Sequence, residues 1–411
     1  MKRFVLLMAF IAISAVFSGC GGKSTSADAP PDFKATAGDS IVTLTWTAAP
    51  DVEYWLFYAA GSAVTTANWL SIGGKAVINV SSPYTISGLI NNSTYSFTLN
   101  GRKNGGPGGP GAPTQVLVPR FAGSNWTVAA PLGSGRLNGI SAFSTTNVIV
   151  GSGGAIFSGI SGATPTARTN PAALADLNAV TYAGLGFVAV GAAGTVVFSA
   201  DGTTWTTKTS GTVADLYAAT TPGTGAIVAV GAAGTTIFSA DGTTWKAATS
   251  ATSKNLYAAT YGVGRYVAVG AGGTIVTSTD GTTWQAVAAN TTNDLRAVTL
   301  GVFLNTTGTG ATATTTTTNV FVALGAAGTV LTSSDGLTWT LRSPMSVNTM
   351  NAVAFSGQFV AVGNAGSIYT SADGVTWQAQ VSGSVNDLTA LARTSGGYTA
   401  VGAAGTNLTS F

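Results

Sequence analysis

The sequence predicts an all-β chain: a β-sandwich over residues 31–119, then a seven-bladed β-propeller over 121–411 closed by its own N-terminal strand. Three observations predict it. A Gly-x-x-Gly tetrad starts at Gly151, Gly191, Gly231, Gly270, Gly325, Gly363 and Gly402, at intervals of 40, 40, 39, 55, 38 and 39 residues. Short β-rich runs flank the tetrads, such as Phe187-Val-Ala-Val190 and Thr195-Val-Val-Phe198, and four short strands every ~40 residues is the period of a propeller blade. Finally, 55 of the 411 residues are Gly and only 8% are charged, against about 25% charged in average domains. A glycine-rich turn repeated around a ring accounts for that bias.

The N-terminus comes first. Met1-Lys2-Arg3 precedes an apolar stretch from Phe4 to Phe17 and then Ser18-Gly19-Cys20, a charged segment, an apolar segment of signal-peptide length and a small-residue cleavage site. Cys20 is the single cysteine, which excludes a disulfide framework and a CxxC pair. The Phe17-Ser-Gly-Cys20 run resembles a bacterial lipoprotein signal. That resemblance implies removal of residues 1–19, acylation of Cys20 and a membrane reached through a lipid anchor. Gly21, where an inner-membrane retention signal carries Asp, implies the outer membrane. Residues 20–30 are small and polar without periodicity and predict a flexible tether.

Residues 31–119 alternate in short strands. Ile41-Val-Thr-Leu-Thr-Trp46, Tyr54 to Tyr58, Tyr95-Ser-Phe-Thr-Leu99 and Gln115 to Val118 are the clearest. Trp46 at the end of its strand, and Leu89 followed by Tyr95 and Phe97, resemble the core Trp and tyrosine corner of a fibronectin type III domain. Arg102-Lys103 falls on a solvated hairpin tip beside the Gly/Pro-rich run to Pro110.

In the repeat region, five tetrads are followed by Ser-x-Asp-Gly-x-Thr-Trp, with Asp201, Asp241, Asp280, Asp335 and Asp373 paired to Trp205, Trp245, Trp284, Trp339 and Trp377. Asp accepts local backbone N–H bonds and Gly takes positive φ, so the pair specifies a hairpin turn. The Trp is expected to pack between blades. The last blade lacks its turn and outer strand, and Gly123-Ser-Asn-Trp126 supplies the matching piece. Two blades depart from the pattern. The first has Ser158 to Pro165 where Asp and Trp belong, and the fifth carries a Thr-rich insertion, 305–319, expected as a surface loop.

These turns resemble the Asp-boxes of bacterial neuraminidases, which raises a carbohydrate-active enzyme as an alternative function. The residue inventory opposes it. There is no His, the commonest general base. Glu53, the one Glu, lies in the sandwich, whereas glycosidases need a pair of carboxylates at set separation. Five identical turns are structure, not five active sites. No catalytic residue, cofactor or metal is expected.

The informative column is the innermost strand, whose copies read Arg136-Leu-Asn138, Asp176-Leu-Asn178, Asp215-Leu-Tyr217, Asn255-Leu-Tyr257, Asp294-Leu-Arg296, Thr349-Met-Asn351 and Asp387-Leu-Thr389. Strand alternation buries the middle residue and turns both neighbours to the central channel. That predicts a ring of Asp176, Asp215, Asp294 and Asp387 near one mouth, and beside it a ring of Asn138, Asn178, Tyr217, Tyr257, Arg296, Asn351 and Thr389. The second ring varies within a strict repeat, so it is the candidate binding site, with Tyr and Arg as anchors.

The blades also resemble the photosystem II stability and assembly-factor propellers, which share the Asp-Gly-x-Thr-Trp turn. This resemblance implies a partner-binding propeller and adds an assembly factor to the possible functions. The expected partner is a protein or glycan bound by a monomer. Nucleic acid is not expected, because residues 121–411 carry three Lys and six Arg against nine Asp, which leaves no basic field for a polyanion.

Overall fold

A computed structural model describes residues 25–410 except 62, 173–174, 224, 308–313 and 396. The signal segment, Cys20 and the first half of the tether lie outside the described residues. The chain divides into two compact units, Met1–Arg120 and Phe121–Phe411. Both are built of strands, and no helix among the described residues is long and apolar enough to cross a membrane.

The first unit contains β1 (Thr25–Ala27), β2 (Lys34–Ala37), β3 (Ile41–Thr45), β4 (Glu53–Ala60), β5 (Lys75–Val77), β6 (Tyr84–Ser87), β7 (Tyr95–Lys103) and β8 (Gln115–Leu117). One sheet is β2-β3-β6; the other runs β1-β7-β4-β5, with β8 also on β7. Alternate residues of both sheets, among them Val42, Leu44, Leu56, Ile86, Phe97 and Leu99, fill one core together with Trp46. The Tyr95 hydroxyl accepts the Ile90 backbone N–H at 3.1 Å.

β1 corrects the expectation of a tether over 20–30. β8 covers only Tyr95–Phe97 of the long strand β7, and Thr25–Ala27 pairs with the remaining edge at Gly101, Arg102 and Lys103. Backbone groups make this pairing, so side-chain periodicity gives no sign of it. Arg102 is likewise not a free tip residue: its guanidinium lies 3.5 Å from the centre of the Trp55 ring.

Among the described residues, the second unit holds seven four-stranded antiparallel sheets. Sheets one to six span 137–168, 177–208, 216–247, 256–287, 295–342 and 350–380; the seventh combines 388–410 with Trp126–Val128. The first strand of each sheet packs beside the first strand of the next, and that of the seventh packs beside that of the first. The seventh sheet is completed across the chain's two ends. Trp126–Val128 pairs with Leu408, Thr409 and Ser410, and the Gly123 N–H donates to Ser410 Oγ at 2.6 Å. This repeats the Gly202 N–H to Ser199 Oγ bond of an intact turn, with its two halves on different segments.

The sheets join through apolar seams. Trp284 packs with Val228 and Val230 of the third sheet and with Tyr266 and Ala268 of its own, and Trp205, Trp245, Trp339 and Trp377 are placed alike. In the turns, Asp201 Oδ1 accepts the Thr203 and Thr204 N–H groups at 2.8 and 3.0 Å. The bond from the Thr203 hydroxyl, with these two, holds the Asp201 carboxyl well below its usual range; Asp241 and Asp280 are lowered by the equivalent bonds, the backbone N–H groups leading. Asp335 and Asp373 are lowered too, the latter against an opposing effect of burial.

The insertion of the fifth sheet is not a loop on its described part. Strands Leu295–Thr307 and Thr314–Gly325 pair along their whole length to Thr307 and Thr314. Threonine is β-branched and suits a strand, so the insertion lengthens the hairpin.

Candidate binding site at the channel mouth

Every inner strand starts with the same irregularity. Leu137 pairs with Gly151 and Gly139 with Val150, so Asn138 is the extra residue of a β-bulge. The same register shift falls at Asn178, Tyr217, Tyr257, Arg296, Asn351 and Thr389. A bulge re-aims a side chain out of the sheet's alternation. All seven side chains border one open cavity of about 410 Å³, together with Arg136 and Asn255. The core Leu or Met before each bulge is fully buried.

The preceding column does something other than line a channel with acid. Asp176 Oδ1 accepts the Gly153 N–H at 2.6 Å, Asp215 that of Ala193 at 2.8 Å, Asp294 that of Gly272 at 2.9 Å and Asp387 that of Ala365 at 2.9 Å. Asn255 does the same for Ala233. Each acceptor grips the tetrad turn of the preceding sheet at a residue with φ between 50° and 64°. The expected acidic ring is therefore a set of clasps between sheets. Alternation alone misplaced it, because the bulge two residues later breaks the period of two.

The variable ring divides into two arcs. Asn138 donates to the Leu177 carbonyl at 3.0 Å, Asn178 to Leu216 at 2.9 Å and Asn351 to Leu388 at 2.8 Å. Thr389 donates to the carbonyls of Leu137 and Val401. Sheets six, seven, one and two thus use the ring position to bind the next sheet. Sheets three, four and five carry large side chains there instead. The Tyr217 and Tyr257 rings lie 5.8 Å apart, tilted at 48°, and the Arg296 guanidinium sits 4.7 Å from the Tyr257 ring centre. Asp294, already bound to Gly272, holds Arg296 by a 3.2 Å ion pair. Burial, with the charge of Asp215 added, pushes the Tyr217 hydroxyl up from its usual value, so it stays a neutral donor.

Exposed valines stand on the same face as the mouth, outside the cavity itself. Val213, Val347 and Val385 each stand two residues before the clasp column and are 89%, 91% and 86% exposed. In an antiparallel four-stranded sheet these connections share a face with the tetrad turns, whereas the Asp turns and the long fifth hairpin lie on the other face. Sequence reasoning missed these valines; it turned Arg136 and Asn255 to the channel with the rest of their column but left them out of the candidate binding residues. The valines recur at one repeat position, which was the available signal.

Comparison with solved structures decides the architecture of the second unit. "YCF48 bound to D1 peptide" matches with a TM-score of 0.54 at 18% identity, over 69% of this chain and 94% of that one. YCF48 from Cyanidioschyzon merolae gives 0.54 at 19% identity, over 70% and 98%, and a streptogramin B lyase gives 0.59 at 10% identity, over 71% and 99%. The second unit is a β-propeller. Such low identities show the fold alone. No protein-family profile matches the chain, and no curated protein matches it in sequence. The covered share corresponds in length to Phe121–Phe411.

Proposed function

We propose that this chain is a non-catalytic, envelope-anchored binding protein whose propeller mouth grips a segment of a protein partner. The observation that carries the reading is the continuous arc of Tyr217, Tyr257 and Arg296, built on three adjacent sheets where the other four use the same position for their own cohesion. Tyr and Arg are the residues that dominate protein recognition, and exposed valines on the same face offer further apolar contact. YCF48, of the same fold, is described with a bound peptide. The enzyme alternative draws no support from the acids, since the five turn aspartates and four clasp aspartates are committed to backbone N–H groups or, for Asp294, also to Arg296.

In this reading the seven sheets are seven blades in a closed ring, sealed by Trp126–Val128. The first unit is a fibronectin type III-like spacer, a reading supported by its two-sheet core around Trp46 and the Tyr95 hydroxyl bond. Acylated Cys20 ties the monomer to the outer membrane, and only a few residues separate it from β1. The spacer, rather than a long tether, then sets the reach of the propeller.

A peptide-display library panned on the full chain tests this. Enriched peptides should bind the wild type and fail on Tyr217→Ala/Tyr257→Ala/Arg296→Ala. Equal enrichment on that variant rejects the mouth as the site.

A further inference from the structure

Six of the seven seams in the propeller are filled by a tryptophan: Trp205, Trp245, Trp284, Trp339 and Trp377 from the intact turns, and Trp126 at the seam of the sixth and seventh sheets. At the seventh seam, between the last sheet and the first, the repeat places Pro165 where Trp belongs. The cluster there is Leu132, Leu137, Ile140, Ile149 and Val401, without an indole. Its outer part is open, a cavity of about 300 Å³ on the side of the Asp turns.

The walls of this seat have changed as well. Asn147 stands where the other sheets have Phe, Ile or Tyr, four residues before the tetrad. Thr399 replaces a Val found in all six other sheets, and Asn407 replaces Val, Ile or Thr. All three are buried and border the cavity. Asn147 Oδ1 accepts the Ser161 hydroxyl at 3.2 Å, while Asn407 Oδ1 is buried with no protein partner. A buried carbonyl left without a partner is destabilising, so a hydrogen-bonding occupant suits this site.

We propose that this seam binds a single neutral sugar ring. No charged side chain borders the cavity, which disfavours an ionic ligand. The amide and hydroxyl groups of Asn147, Thr399 and Asn407 suit a ligand with hydrogen-bonding groups better than an indole or other wholly apolar ring. Amide and hydroxyl groups above the apolar surface of Ile149 and Pro165 match the hydroxyl edge and C–H face of a pyranose. The volume lies at the low end of the roughly 300–1,000 Å³ of small-molecule sites, enough for one ring rather than a chain. The site is independent of the peptide mouth and lies on the opposite face.

The test titrates the full chain with the methyl glycosides of glucose, galactose and N-acetylglucosamine, and with N-acetylneuraminic acid, by calorimetry and saturation-transfer NMR. At least one neutral glycoside should bind with a dissociation constant of about 1 mM or below. Pro165→Trp/Asn147→Phe refills the seat and should abolish that binding. Asn407→Val restores the repeat's wall without filling it and should weaken binding at least about tenfold, the weight of one buried hydrogen bond; it decides the matter should the double variant not fold. Absence of neutral-glycoside binding, tighter binding of the acidic sugar, or unchanged affinity in Asn407→Val overturns the proposal.

Discussion

Asn178→Ala separates cohesion from recognition at the mouth. Asn178 Nδ2 donates to the carbonyl of Leu216 at 2.9 Å, across the seam between the second and third sheets, and Leu216 is fully buried. Losing the bond costs about 1 kcal/mol if water replaces it and up to about 3 kcal/mol if the carbonyl stays dry. For a unit of this size 1 kcal/mol shifts the midpoint by about 2 °C, so the expected fall in Tm is about 2–6 °C. Differential scanning calorimetry on wild type and variant reads it directly. Asn178→Asp should be at least as damaging near neutral pH, because a carboxylate cannot donate to a carbonyl. Peptide binding at the Tyr217–Arg296 arc should be unchanged in a folded Asn178→Ala protein. An unaltered Tm, or loss of peptide binding with the fold intact, refutes the division of the ring into two arcs.

Other consequences follow from the same geometry. Trp284→Ala removes a side chain that is 4% exposed and should cost about 3–5 kcal/mol, read as a lowered denaturation midpoint. The turn aspartates have folded pKa values below their unfolded value of 3.8. Their stabilisation is complete above that value and drains as pH falls from about 4 towards the lower folded values; Asp241→Asn should lower Tm near pH 7, where that stabilisation is complete, and flatten the Tm–pH curve below pH 4. Burial pushes the Tyr266 hydroxyl up to about 12, and it donates to the Ala226 carbonyl at 2.5 Å. Phenolate absorbance should therefore show this tyrosine ionising well after the exposed ones, with stability falling as pH rises above 10; Tyr266→Phe should remove that component.

The period of the Gly-x-x-Gly tetrads, the Asp turns and the Gly123–Trp126 fragment made most of the propeller legible in the sequence, because each feature is a local backbone requirement repeated at fixed spacing. Gly191 shows why: a Cβ there would lie against the Asp176 carbonyl oxygen, so the inner strand can approach only a glycine. What escaped was whatever depends on backbone pairing or on a break in alternation. β1 joins an edge that only the length of β7 leaves open. The Asp clasps follow from a bulge that no pattern of apolar residues announces. The mouth residues were legible as a column that varies, yet the reason for the variation was not: Asn and Thr reach the next sheet's carbonyl, and Tyr and Arg extend into the opening. The empty tryptophan seat was legible only as a degenerate turn, since its polar walls lie on three separated strands.

The most direct test of the central claim places a photo-crosslinking amino acid at Tyr257 in the full chain, with a control at Leu337, a 43% exposed residue in an Asp turn on the opposite face. In cells producing the protein, Tyr257 should yield a discrete protein adduct, with the crosslink mapping to one segment of the partner, and Leu337 should not. Adducts that are absent at Tyr257, or identical from both positions, contradict a recognition site at the channel mouth.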